Sequence, residues 1–362
     1  MYHRPYRDAS GLLRARVGEV CTGGHQVRTQ SIKTIAGKEF RDHIRSKRFH
    51  ILFGILLVIA LTGLVTGMVQ YQKDLNDYNQ AHADVSEEEI QVGATDTTPS
   101  PLTAFNQMGS LIGTLGAVLG IAMGFDLVTK EKESKSLKLL LSHPVYRDEV
   151  INGKTLGGAA AIALAMAIVL ILSLAVLLIA GVVPSFEESV HILLFSGLSF
   201  LMIFSFFVLA LFFSTVAPNN GSALVSAFIV FITLSSLTSL IISTPALNLL
   251  IGDYPTGPPR SDSMLSPEEQ IEKDRLWEEY RTQKIAHEQK RQAVKDTLSL
   301  FSPDKNYQKL TGAVTAPHVS EDNHRTLADL FGMLAGHIVV FFVFPAAFFG
   351  LAWVRFARED IR

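Results

Sequence analysis

Gly153-Lys154-Thr155 has the ending of a phosphate-binding loop. Such a loop wraps a phosphate in successive backbone N–H groups. It needs a further glycine five residues before Gly153 and a strand leading into the turn. The upstream position is Asp148, and no strand pattern precedes it. The nucleotide site is therefore absent, and the chain is not expected to hydrolyse ATP or to be an enzyme. His287, His318 and His324 are too scattered for a metal site, and no nucleophile–base constellation stands out. Cys21 is the single cysteine, so no internal disulfide can form. A net charge of −2 gives no reason to expect a nucleic-acid partner.

The residues with the most specific spacing are suited to mechanical work. The stretch 125–154 is polar and lies between two long apolar segments. It carries Lys130, Lys132, Lys135, Lys138, Arg147 and Lys154, and a basic loop between two membrane spans is expected on the cytoplasmic side. Leu137, Leu140 and Leu141 fall at i, i+3 and i+4, making one apolar helix face. Pro144 biases His143 away from helical geometry and can start a second short helix. Asp148 and Glu149 lie in its first turns, where negative charge suits the helix dipole, and Asn152-Gly153 should end it. The expectation is a helix, a kink and another helix held against the inner membrane face. The plainer reading is a basic loop that only sets topology.

Ser136-Leu137-Lys138-Leu139-Leu140-Leu141-Ser142-His143-Pro144-Val145-Tyr146-Arg147-Asp148-Glu149-Val150-Ile151-Asn152-Gly153-Lys154 resembles the first cytoplasmic loop of ABC exporter permeases, the class that includes drug, sodium and polysaccharide exporters. There a Glu-rich run leads into (S/T)-L-K-x-L-L-S-x-P-V-x-R-x-E-(V/I)-x-x-G-K. The glycine usual before that motif is Lys135 here. The layout resembles this class over most of residues 31–362, and is similar to the permease for nitrous-oxide-reductase maturation, which handles a sulfur or copper-related cargo. The resemblance implies two permease chains, identical or different, working with two ATPase chains that hold the ATP and Mg; no cofactor is expected in this chain. It also assigns roles. Glu131 and Glu133 would contact or orient the ATPase. Leu137, Leu140 and Leu141 would seat in its groove, within a coupling set that includes Lys138, Ser142 and Pro144. Arg147 and Glu149 would fix the second short helix by ion pairing.

These residues need a membrane frame around them. The 362-residue chain is 48% hydrophobic and 18% charged. It has several charge-free runs of about 20 residues, each able to cross a hydrocarbon layer about 30 Å thick. The fold class expected is all-α integral membrane, with six transmembrane helices at about 49–69, 104–125, 155–183, 191–216, 222–246 and 329–354. Residues 1–30 read as a disordered cytoplasmic tail without a secretory signal. Residues 31–48 read as an amphipathic elbow helix, capped by Ser31, with Ile32, Ile35, Phe40 and Ile44 on one face and basic groups on the other; a soluble helix packed on a partner is the alternative. Spans 1–5 occupy 49–246, with the coupling loop at 126–154. Residues 247–328 form an extracytoplasmic insertion, and 329–362 hold span 6 and a cytoplasmic tail.

The region up to Arg48 and the central loop are rich in Lys and Arg, whereas Lys73 is the only Lys or Arg in 70–103, so both termini are predicted on the cytoplasmic side of the cell membrane. Asn220-Gly221-Ser222, a glycosylation sequon by letter, then falls on the inner side. In the insertion, Ser266-Pro267-Glu268-Glu269 reads as a capping box opening a charged helix to about 298. One or two helices packed loosely over the outer mouth are expected there.

Gly109 and Gly113 are four apart, as are Gly116, Gly120 and Gly124, and as are Gly332 and Gly336 in span 6. Small residues at that spacing let helix backbones approach closely in a bilayer, whether to slide during transport or to pack statically. Asn106, Gln107, Ser110 and Thr114 in span 2, Thr233, Ser235, Ser236, Thr238 and Ser239 in span 5, and His337 in span 6 are polar groups at membrane depth. Such groups are functional candidates, although hydroxyls can simply bond their own helix carbonyls. No span holds a clear interior Asp, Glu, Lys or Arg, which argues against a proton-driven pump. An ion-coupled carrier or channel working without an ATPase is the alternative function, and transport without any ATPase would distinguish it.

Overall fold

The computed structural model describes residues 29–83, 99–134, 146–258, 267–316 and 332–358, and all regular structure among them is helical. Helix α1 covers 29–45 and stops at Ser46. Then follow α2 (Lys47–Ala83), α3 (Thr103–Gly124), the single turn α4 (Thr129–Glu133), α5 (Arg147–Ile179), α6 (Phe186–Val216) and α7 (Asn220–Ile242). After these come α8 (Thr244–Ile251), α9 (Pro267–Ser299), α10 (Pro303–Thr315) and α11 (Ala335–Ala357). Among the described residues, six helices are long and apolar enough to cross a membrane: α2, α3 with its extension to Glu133, α5, α6, α7 and α11.

Several boundaries differ from the sequence reading for physical reasons. α2 continues about four turns beyond its apolar part, because Gln70 to Ala83 is polar yet free of helix breakers. α5 runs unbroken from Arg147 through Asn152-Gly153, so the second short helix and the span are one rod. Gly153 serves close packing there instead of ending the helix: a Cβ on it would meet Ile35 Cγ2 at 2.6 Å. Pro184-Ser185 acts as an N-terminal boundary for α6, with Ser185 Oγ accepting from Glu188 N and Glu188 Oε2 accepting from Ser185 N. Ser31 lies inside α1 instead of capping it.

The bundle is built around α3 and α6. The α3 glycines face α6 and α10: a Cβ on Gly120 would come within 2.9 Å of Phe207 N, and one on Gly116 within 3.2 Å of Ile203. Gly124 meets Ala210 at 3.1 Å and Gly109 meets Phe195 at 3.0 Å by the same test. α2 crosses the other side of α3, where a Cβ on Gly63 would sit 2.6 Å from Met108 Cα. Backbone approach this close replaces the hydrophobic drive that lipid removes. The glycine pair at the start of the last span does no such work: Gly332, just before α11, has nothing within 4 Å, and Gly336 in α11 meets Leu300 at 3.9 Å.

The segment after α8 divides: α9 is exposed along most of its length, as expected of a loosely packed helix, whereas α10 is buried in the bundle. α9 is tied to α8 by Arg291, which bonds Asn248 Oδ1 and stacks 4.5 Å over the Tyr254 ring. α10 then wedges among α3, α6 and α11. Tyr307 is fully buried against Gly113, and its hydroxyl lies 2.8 Å from Ser199 Oγ. Asn306 Oδ1 is 2.6 Å from His337 Nδ1, and His191 Nδ1 is 2.7 Å from the Val314 carbonyl. Gly113 lies ten residues into α3, so the wedge reaches about 15 Å along that helix. Sequence hydropathy missed this, because α10 has a buried polar face (Asp304, Asn306, Thr311) and no apolar run of span length.

Candidate functional site

The N-terminal ends of α2, α5 and α7 meet the C-terminal ends of α3 and α6 at one end of the bundle, here termed the loop end. Charged side chains join them. Lys154 is 2% exposed, and its ammonium lies 2.9 Å from Glu39 Oε1 and 2.7 Å from Glu131 Oε1. One buried cation thereby links α1, α4 and α5. Burying an ammonium is costly unless it is paired, and two carboxylates offset that cost here. Arg48 pairs with Asp126, joining the start of α2 to the chain leaving α3, and lies over the Phe125 ring.

The single turn α4 is pinned on the turn between α6 and α7. Ser214 Oγ accepts from the backbone N–H groups of Val128 and Thr129 at 2.9 and 3.1 Å. The Lys132 ammonium donates to the Thr215 carbonyl at 2.6 Å, in the last turn of α6. The Glu133 carboxylate accepts from Asn220 N at 2.8 Å and from Asn220 Nδ2 at 2.6 Å, at the first residue of α7. A cation thus sits on a helix C-terminus and an anion on a helix N-terminus, each complementing the local dipole. Asn219 caps α7 independently, accepting from Ser222 N.

Of the coupling residues expected from sequence, Glu131, Glu133, Arg147 and Glu149 are described. Leu137, Lys138, Leu140, Leu141, Ser142 and Pro144 lie outside the described residues. Glu131 and Glu133 are engaged within the chain. Glu149 is 2% exposed and its Oε2 accepts from Tyr146 N at 3.3 Å, so it caps α5; Arg147 is half-buried as the first residue of that helix. Sequence reasoning missed Lys154, Glu39, Lys132 and Asn220 as members of the site. Glu39 and Lys154 are 115 positions apart, and their pairing leaves no local spacing to read. One signal was available: Gly153 and Gly157 are a helical turn apart, and a Cβ on Gly157 would lie 2.8 Å from the Ala36 carbonyl, which is how α1 gains its seat on α5.

His43 points into the same region. Burial pushes its imidazole below the ordinary value of 6.5. Glu39, Asp126 and Asp42 act in the opposite sense, and Lys154 adds to the lowering.

The polar groups at membrane depth divide. Thr238 and Thr114 bond their own helix carbonyls, at 2.7 and 3.1 Å. His337 bonds Asn306. Asn106, Gln107, Ser110 and Thr114 are exposed along one face of α3, and Thr233, Ser236 and Ser239 are exposed on α7.

Nothing in this arrangement brings a nucleophile to a base. It is a frame that fastens a loop to several helix ends. Among known families, residues 33–361 match the one described as ABC-2 family transporter protein. No curated protein matches the chain.

Proposed function

Because the chain belongs to the ABC-2 transporter family over residues 33–361, we propose that its loop end receives force from a separate ATPase and passes it to the spans. Family membership makes the chain a multi-pass membrane permease, a transport subunit without catalytic chemistry of its own. Permeases of this family generally pair with ABC ATPase subunits. Our reading goes further: the ATPase docks on 126–154, the loop end faces the cytoplasm, and the cargo leaves the cell. Two permease chains, identical or different, and two ATPases form the working unit.

The observation that carries this reading is the fastening of α4. A displacement of 129–133 acts at once on the ends of α6 and α7 through Lys132 and Glu133, and on α1 and α5 through Glu131 and Lys154. Glu131 and Glu133 therefore orient the loop instead of gripping the ATPase directly. Leu137, Leu140 and Leu141 supply the seat. The exposed hydroxyls and amides of α3 and α7 are unsuited to lipid, which supports a path between two permease chains lined by these faces.

The test is a pull-down. The chain with Leu140→Asp and Leu141→Asp should lose its ATPase while remaining in the membrane. Undiminished capture would remove the docking claim.

A further inference from the structure

A cavity of about 520 Å³ opens at the loop end among α1, the start of α2 and the end of α3. Its rim is charged, with Lys38, Asp42, Lys47 and Lys130, and its apolar floor includes Phe49, Leu52 and Met123. The same three floor residues line a narrow apolar crevice that continues toward Leu56, Leu119 and Ala165. The cavity and the crevice, the latter only about 20 Å³, share these side chains; this slot is charged where Lys47 opens the first span and apolar further along the bundle.

The charges around the slot are unevenly satisfied. Lys154 is paired with Glu39 and Glu131, and Arg48 with Asp126. Lys38, Lys47 and Lys130 have no ion-pair partner among the described residues, and neither has Asp42, so three ammonium groups and one carboxylate remain, a surplus of positive charge. Two shielded polar atoms, Glu131 Oε2 and His43 Nε2, have no hydrogen-bond partner among the described residues. A buried polar atom left unpaired costs about 1–3 kcal/mol. A molecule completing this set must carry an anion for the ammoniums, a hydrogen-bond donor for the Glu131 oxygen, and an apolar tail for the floor.

We propose that the slot binds a phospholipid from the leaflet at this end. Its phosphate lies among Lys38, Lys47 and Lys130, its headgroup ammonium or hydroxyl donates to Glu131, and the first part of an acyl chain rests on the apolar floor of Phe49, Leu52 and Met123 at the mouth of the crevice. Ethanolamine and glycerol headgroups meet these requirements. Choline does not, because its quaternary nitrogen has no N–H. The lipid would then rest on the carboxylate that ties α4 to α1 and α5, so headgroup type bears directly on the loop. The proposal uses the membrane-spanning character of the helices; Asp126, Lys130 and Glu131 belong to the 126–154 stretch proposed to receive the ATPase, and the slot lies where that stretch faces α1 and α2.

The experiment uses the full chain purified in detergent, exposed to phosphatidylcholine micelles containing phosphatidylethanolamine or phosphatidylglycerol, with retained lipid read by native mass spectrometry. Ethanolamine or glycerol lipid should be retained over choline lipid. The K38Q/K47Q/K130Q variant, altered only at exposed side chains, should retain about tenfold less, the equivalent of one charge-assisted hydrogen bond. Leu52→Trp should block the mouth of the crevice and release lipid while binding of inorganic phosphate persists. Unfolding temperature, read for each variant, separates loss of the site from loss of the fold. Equal retention of choline lipid, or retention indifferent to the triple lysine change in a folded chain, would overturn the proposal. Binding of inorganic phosphate with no lipid retained would overturn it in favour of a free anion.

Discussion

The Glu133 carboxylate caps the first residue of α7, accepting from Asn220 through both its backbone N–H, at 2.8 Å, and its side-chain amide, at 2.6 Å. Lys132, its neighbour in sequence, holds the opposite dipole at the end of α6. Two adjacent residues of opposite charge therefore close one helical hairpin from outside it.

Removing the Glu133 charge should weaken that closure without disturbing the core. Glu133→Gln keeps the shape and loses the dipole partner, and Glu133→Ala loses the cap as well. We expect about 1 kcal/mol for the alanine change, and less for glutamine. Thermal unfolding of the purified chain should order the two variants in that way; equal melting temperatures for wild type and Glu133→Ala would show that the cap bears no load.

Lys154 offers a sharper contrast. Lys154→Met strands Glu39 and Glu131 around an apolar side chain, and about 3 kcal/mol should be lost, as when one partner of a buried ion pair is deleted. Neutralising the carboxylates in the same chain, as K154M/E39Q/E131Q, should recover much of that stability. Denaturation midpoints of the three proteins check both steps, and a triple variant weaker than the single one would contradict the assignment.

The sequence made six spans legible because a charge-free run of about 20 residues has few other uses. The α3 glycines could be read too, since a four-residue spacing fixes their shared face before any partner is known. The partner itself could not be read, and the same spacing at Gly332 and Gly336 marks glycines with no close neighbour. α10 stayed hidden because its burial comes from surrounding helices and its own residues are half polar. At the loop end, the charge excess was plain, but pairing across many tens of residues belongs to the tertiary fold and not to any local pattern.

The two glycine stripes predict opposite outcomes. Gly120→Ala places a methyl within 2.9 Å of Phe207 N and closer still to the Ile203 carbonyl, so α3 and α6 must part. A loss of about 1–3 kcal/mol is expected from overpacking. Gly336→Ala meets nothing nearer than 3.9 Å and should gain up to about 1 kcal/mol from helix propensity. Melting curves of the two variants side by side test the difference in sign.

Acid should loosen the loop end through His43. Its folded-state affinity for a proton is depressed, chiefly by burial. The unfolded chain therefore takes up the proton first as pH falls. The neutral imidazole's contribution to stability is complete above the ordinary value of 6.5, and declines below it until the folded imidazole also protonates. Melting temperature measured from pH 8 down to about pH 5 should fall more steeply for wild type than for His43→Gln. Parallel curves would exclude His43 as the source.

The seat of α10 has a consequence for how the polypeptide is put together. Tyr307 finds Gly113 and Ser199, and Asn306 finds His337, so the wedge draws its contacts from helices made before it and from one made after it. It has no place to go until α3 and α6 have met, and α11 shuts it in afterwards. During synthesis the bundle must therefore wait, incompletely filled, for its own C-terminal portion, and that interval is when a membrane chaperone would have the most to hold.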